Sequence, residues 1–176
     1  MADAVTPVDA PEDAAPEPTP TLHGCPLTFS HTQKVLHPSR EQLLDVVEAL
    51  VADGYRQCID SCGVDYLGYD ADRGLPEGIE PARFEVVITL ISHEAAERIR
   101  LRVQVPGDDP TCPSLFKLHP GTEAMERETF DMFGITFTGH PDMTRVLMPE
   151  DWEGYPLRKD YSVGRIPVEF KGDPSR

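Results

Sequence analysis

A chain of 176 residues with a formal charge of −15 and a sequence pI near 4.6 is long enough for one hydrophobic core. It has the wrong sign for nucleic acid or anionic lipid, both of which need a basic footprint. A membrane span is also excluded, because the most continuous apolar run, Val86 to Ile91, falls far short of the roughly 20 residues that cross a bilayer.

Residues 1–20 are rich in Ala, Pro, Asp and Glu, and hold Asp3, Asp9, Glu12, Asp13 and Glu17 without one Lys or Arg. With almost nothing to bury, they have the composition of a disordered tail, and they lack the basic start and apolar centre of a secretion signal. Cys25, Cys58, Cys62 and Cys112, in a chain without export signals, are expected as free thiols. The expected location is the cytoplasm, in solution or held to a membrane by partners.

Residues 21–139 are expected to form an α+β domain. A turn-rich lead-in contains one short strand within Thr28 to Leu36. Ser39 then opens a helix, with Gln42 completing a capping box, Leu43, Val46, Val47, Leu50 and Val51 recurring at helical spacing, and Gly54 closing it. Tyr55 to Leu67 suggests a strand with an irregular end, and Gly68 to Ala82 is a loop. Phe84, Val86, Ile88 and Leu90, then Ile99, Leu101, Val103 and Val105, alternate with period two. The pair predicts an antiparallel hairpin with one face on the Ser39 helix. Arg98, Arg100 and Arg102 on its other face stand out in so acidic a chain. The architecture expected is a small, mostly antiparallel sheet with helices on one face and an extended C-terminal arm.

The second predicted helix runs from Thr122, as N-cap, to Gly134, as left-handed stop. Glu123, Arg127 and Asp131 stand four apart and suggest a ladder of ion pairs. Glu126 and Glu128 point well apart, since a helix turns about 100° per residue, so no pair of carboxylates is set up for acid–base work. Residues 140–176 are broken by Pro149, Gly154, Pro156, Gly164 and Pro167 yet carry Val146, Leu147, Met148, Trp152, Tyr155, Leu157 and Tyr161. Such apolar mass in a long irregular stretch indicates a strap that lies in a groove, its own domain's or a neighbour's. Arg158, Lys159 and Asp160 beside Trp152, Tyr155 and Tyr161 have the composition of an interface anchor.

Cys58 and Cys62, spaced by three residues, would need His31, His37 or Cys112 to complete a metal or iron–sulfur site, and the plainer reading is buried thiols. No phosphate-binding glycine loop and no nucleophile elbow occurs. His140-Pro141-Asp142 matches the tripeptide of J-domain co-chaperones. There, however, it joins two helices, the first of them basic, whereas here a strand-like run precedes it and the flanks are acidic. His140 is read as a turn residue bonded to neighbouring backbone.

Glu126-Arg127-Glu128, Asp131-Met132-Phe133-Gly134-Ile135, Phe137, Gly139-His140-Pro141-Asp142, Arg145-Val146-Leu147 and Gly154-Tyr155-Pro156-Leu157-Arg158-Lys159-Asp160-Tyr161 together resemble the signature of the C subunit of proton-translocating NADH-quinone oxidoreductase, respiratory complex I, in its stand-alone bacterial form. Met125 and Thr144 depart from that pattern. The resemblance implies a non-catalytic subunit of the peripheral arm, on the cytoplasmic side of the plasma membrane. By the same resemblance it binds no cofactor, FMN and iron–sulfur clusters belonging to other subunits, and packs on the quinone-site B and D subunits and the iron–sulfur I subunit. Membrane contact would come only through those partners, and nucleic acid is not among them. The residues expected at partner contacts are Glu126, Arg127, Glu128, Asp131, His140, Arg145, Trp152, Tyr155, Arg158, Lys159, Asp160 and Tyr161. Two alternatives stay open: the equivalent subunit of a membrane-bound hydrogenase or related dehydrogenase, and an independent redox enzyme using Cys58 and Cys62.

Overall fold

Alternating hydrophobicity is realised as a six-stranded sheet in the computed structural model, which describes residues 19–162. The expectations for residues 1–18 and 163–176 lie outside the described residues. In chain order the elements are β1 (Thr21–Leu22), β2 (Cys25–Ser30), β3 (Gln33–Leu36), α1 (Leu43–Ala52), β4 (Gln57–Asp65), β5 (Phe84–Ser92), β6 (Glu97–Val105), β7 (Thr111–Pro113), α2 (Glu123–Phe133) and β8 (Thr136–Thr138). The sheet order is β1-β2-β3-β6-β5-β4, and β7 and β8 form a separate pair. Among the described residues only the β3–β6 and β7–β8 pairings are parallel. This is the expected α+β fold with a mostly antiparallel sheet.

The predicted hairpin forms in the register Phe84 opposite Val105 to Ser92 opposite Glu97. Its even-spaced apolar residues are fully shielded and meet Leu43, Val46, Val47 and Leu50 of α1 in one core. The capping box closes reciprocally, with Ser39 N–H donating to Gln42 Oε1 and Gln42 N–H donating to Ser39 Oγ, each at 3.3 Å. It does so as a turn ahead of the helix, so regular helix begins at Leu43 rather than just after Ser39. Gly54 ends it at φ 97°, where a side chain would be strained.

Two expectations change. The single strand sought within Thr28 to Leu36 is a hairpin, β2 and β3, turning at His31, whose φ of 57° puts a non-glycine residue in the left-handed region. The irregularity of β4 is a bulge at Ile59, because Cys58 faces Leu90 while Asp60 faces Thr89. Beyond the bulge Cys62 faces Val87. Leu90 and Val87 point to opposite faces of β5, so the bulge puts Cys58 on the core side and Cys62 on the outer side.

α2 lies on β4 at Gly63, where an added Cβ would come within 2.8 Å of the Phe133 ring and 2.9 Å of Thr129 Cγ2. The glycine is therefore required by the closeness of helix and strand.

Candidate functional site

α2 holds two wholly buried carboxylates, Glu126 and Asp131, and each one ties down a different piece of chain. Glu126 accepts hydrogen bonds from Ser114 Oγ, from Leu115 N–H at 2.8 Å and from Thr122 Oγ at 2.9 Å. It lies in the first turn, where the macrodipole favours an anion, and it fixes the segment that leads from β7 into the helix. Thr122 closes a short 3-10 turn, Pro120–Thr122, ahead of α2 and makes no side-chain cap. Its hydroxyl lies within reach of Glu126 and of His119 O instead.

Asp131 is not the end of the expected ladder. Glu123 and Arg127 do approach to 3.5 Å, but Asp131 pairs with Arg145, fourteen residues downstream. Its Oδ2 also accepts the N–H groups of Val146, Leu147 and Met148 at 3.1, 2.8 and 2.8 Å. Burial alone would push this carboxyl up, but the N–H of Met148, the Arg145 guanidinium and the N–H groups of Leu147 and Val146 outweigh it, holding the group below its usual value. Arg127 turns to the same stretch and donates to Thr144 O, Thr144 Oγ and Arg145 O. Arg145 reaches on to the carbonyls of Trp152 and Gly154. The start of the arm is thus folded around two side chains of α2.

The arm then closes the helix's C-terminal end. α2 has no basic residue in its last turn, and its final carbonyls need donors. Leu157 N–H supplies Met132 O at 3.0 Å and Arg158 Nε supplies Phe133 O. The Arg158 guanidinium lies 4.5 Å from the Tyr155 ring centre and 5.1 Å from that of Phe84. Arg83 stacks on Phe84 and Arg145 on Tyr155, so cations and rings alternate. Gly134 makes this possible, being left-handed at φ 72° and leaving no room for a Cβ, which would fall 2.5 Å from Tyr155. Farther on, Asp65 at the end of β4 accepts from Lys159 N–H and Arg83, and Arg83 also binds Asp160.

These bonds relocate part of the expected contact set. Glu126 and Asp131 are spent inside the chain, because a buried carboxylate needs internal donors. Arg127, Arg145 and Arg158 are mostly engaged with the arm itself, and His140 Nε2 donates to Glu123 O while its Nδ1 accepts Asp142 N–H, the turn role expected. Trp152, Tyr155 and Tyr161 are half-buried against their own chain. Glu128, Lys159 and Asp160 remain exposed. The strap's groove is therefore in part its own domain's. Bare as well, and apolar, are Val146 at 43%, Leu147 at 59% and Leu157 at 52% exposure. Their pattern in sequence gave no sign of which way they would face.

Cys58 and Cys62 do not converge, and the expectation of two buried thiols is corrected: Cys58 is half-buried and pushed up to about 11, chiefly by burial, whereas the bulge leaves Cys62 exposed on the outer face. His37 is engaged by Thr28 Oγ at 2.8 Å. Among the described residues no group of three His, Cys, Asp or Glu side chains is placed to hold a metal ion. No helix among them is long and apolar enough to cross a membrane.

A family model described as respiratory-chain NADH dehydrogenase, 30 Kd subunit, matches residues 36–166. The C subunit of NADH-quinone oxidoreductase from Roseiflexus castenholzii is 47% identical over 144 residues, 80% of this chain and 76% of its own. The protein of the same name from Salinispora tropica is 41% identical over 140 residues, 78% of this chain and 53% of its own. The chain thus spans about half the length of that relative, and 56% of the length of the one from Saccharopolyspora erythraea. Among solved structures, the trypsin-resistant fragment (1–134) of Nqo5 superposes with a TM-score of 0.60 at 33% identity over 68% of this chain and 89% of its own. A chain of the membrane-bound sulfane sulfur reductase, an archaeal respiratory membrane complex, shares the fold, with a TM-score of 0.65 at 20% identity over 86% and 89%.

Proposed function

The chain belongs to the family of the 30 kDa subunit of respiratory-chain NADH dehydrogenase, and from that membership we propose that it is a scaffold subunit in the peripheral arm of the proton-pumping NADH-quinone oxidoreductase. That complex carries electrons from NADH through FMN and iron–sulfur centres to quinone while translocating protons. In this reading the chain holds no cofactor and supplies no reacting group. It works by keeping its neighbours, the quinone-site B and D subunits and the iron–sulfur I subunit, at fixed spacing on the cytoplasmic face of the plasma membrane.

The observation that carries this reading is the bare row of Val146, Leu147 and Leu157 on a backbone that Asp131, Arg145 and Arg158 hold rigid. Exposed apolar side chains on a mobile loop would gain little by docking, since ordering them costs entropy. On a strap already fixed, most of that cost has been met in folding, and permanent interfaces are built from such surface. The test is the double variant Leu147→Asp, Leu157→Asp, expressed from its own locus and followed by co-purification from membranes in mild detergent. Both side chains face solvent in the chain, so its own fold should persist by circular dichroism while the amount of associated quinone-site subunits falls at least roughly tenfold. Normal assembly of a folded variant would remove the arm from the mechanism.

A further inference from the structure

The outer face of the sheet gathers cations that the arm-centred reading leaves unused. At their centre Glu85, wholly buried, takes four donors: Arg102 Nε at 2.7 Å on one oxygen, and Arg73 Nη2, Arg102 Nη2 and Gln104 Nε2 at 2.9, 3.0 and 2.7 Å on the other. Arg73 is 8% exposed and Arg102 17%, so two guanidinium charges lie largely out of water against one carboxylate. Arg73 Nε, also buried, has no acceptor among the described residues. Arg100, half-buried and two residues before Arg102 on β6, makes no ion pair among the described residues.

The strand register brings these groups together. Val87 lies opposite Arg102 and Glu85 opposite Gln104 in the β5–β6 hairpin, and Val35 of β3 lies beside Arg100, so all share one face. Arg73, Arg100, Arg102 and Glu85 border a single cleft of about 400 Å³, with Val35 and Val87 as apolar wall. Glu85 is the one carboxylate in its lining, and three guanidinium charges against it leave two positive charges around one small volume. Nearby His37 reports the same sign, since Arg102 lowers its pKa more than Glu85 raises it. Charge held away from water is costly until a counter-charge meets it.

Charge and volume together define the occupant. A guanidinium presents a planar fork that matches phosphate oxygens, and a phosphate monoester carries close to two negative charges. The cleft falls within the roughly 300–1,000 Å³ of small-molecule sites, and its valines suit an apolar group attached to the anion. We propose that the cleft binds a phosphate monoester, with the phosphate against Arg100 and Arg102 and a small apolar body on Val35 and Val87. A free ester and the headgroup of phosphatidic acid offer the same group. The inference does not rest on the assembly role, and Leu147 and Leu157 lie outside it.

The test is a calorimetric titration of the purified full-length chain with phenyl phosphate at about pH 8, above the second phosphate pKa near 6. The native chain should bind one equivalent saturably. Arg100→Gln removes a side chain that makes no ion pair, so the fold should persist by circular dichroism while binding weakens at least roughly tenfold, the loss of one charge-assisted contact. Arg56→Gln, changed at an exposed side chain outside the cleft, should bind as the native chain does, and benzyl alcohol, which keeps the body without the charge, should not bind. Sedimentation with vesicles of phosphatidylcholine and phosphatidic acid separates the sources. Co-sedimentation lost in Arg100→Gln assigns the phosphate to a lipid, and phenyl phosphate binding without co-sedimentation assigns it to a free ester. No saturable binding of phenyl phosphate, or equal binding by Arg100→Gln, overturns the proposal. So does shielding of Arg100 from dicarbonyl labelling in the assembled complex when the purified chain binds no phenyl phosphate, which would give the face to an acidic segment of a partner.

Discussion

Replacing Asp131 by Asn keeps the size of the side chain and removes its charge, which isolates the electrostatic share of the clasp. In the native chain one carboxylate oxygen receives three consecutive backbone N–H groups and the other receives Arg145, with no water in contact. An amide can keep its oxygen toward the N–H groups, but its NH2 then faces the guanidinium, donor against donor. Removing one partner of a buried pair costs about 3–5 kcal/mol. Arg145 keeps the carbonyls of Trp152 and Gly154 and still touches solvent, so the lower figure, about 3 kcal/mol, applies. At about 1.4 kcal/mol per decade this is roughly a hundredfold in the opening equilibrium. Hydrogen exchange at the amides of Val146, Leu147 and Met148 reads that opening directly, and should accelerate by about that factor while β5 and β6 amides keep their rates. An acceleration below about threefold, or an equal one in β5, would show that the carboxylate does not hold the arm. The native chain adds a pH signature. A carboxyl held below its usual value contributes stability that is whole above the ordinary carboxylate pKa and is lost as pH falls through the folded one. The native arm should therefore loosen only in acid, below about pH 4, and the Asn variant should show no such step.

Gly63→Ala should lower stability by about 1–3 kcal/mol, because its Cβ would meet Phe133 and Thr129 at under 3 Å and overpacked cores cost that much. Thermal unfolding would show it as a drop of several degrees, and an unchanged midpoint would mean that α2 can lift off β4 freely. Tyr155→Phe should be silent, since the ring stacks on Arg145, Arg158 and Phe130 and no hydrogen bond to its hydroxyl occurs among the described residues. Tyr155→Ala should loosen the arm by about 2 kcal/mol in the same exchange assay, and equal behaviour of the two variants would refute the stacking account. His37, wholly buried, is pushed down to about 4 by burial first and Arg102 second. The unfolded chain binds its proton near 6.5, so this stability is whole above that pH and is lost on acidification towards 4. Unfolding free energies from urea titrations at pH 7 and pH 5 should differ by about 2 kcal/mol more in the native chain than in His37→Gln, and identical differences would mean that His37 protonates in place.

What the sequence showed and what it hid divide along the distance over which a pattern acts. The capping box at Ser39 and Gln42, the stop at Gly54 and the alternation of β5 and β6 are set by neighbours within a few residues, and each was legible. The bulge at Ile59 was not, because one added residue leaves composition unchanged while reversing the faces of Cys58 and Cys62. Nor was the destination of Asp131. Helical spacing offers Arg127 at one turn, and nothing local says that Arg145, brought back by the His140 turn, would win the carboxylate together with three backbone N–H groups. Burial decides that contest. A carboxylate shut away from water gains most from the partner that satisfies all its lone pairs, and a surface ladder satisfies few. The same rule explains why a chain so acidic keeps Glu85 between two arginines on one face of its sheet and uses Asp65 to anchor the end of its arm on the other. Its charges act as ties between distant segments, and the apolar residues that the ties leave outside, Leu147 and Leu157, are the ones available to a neighbour.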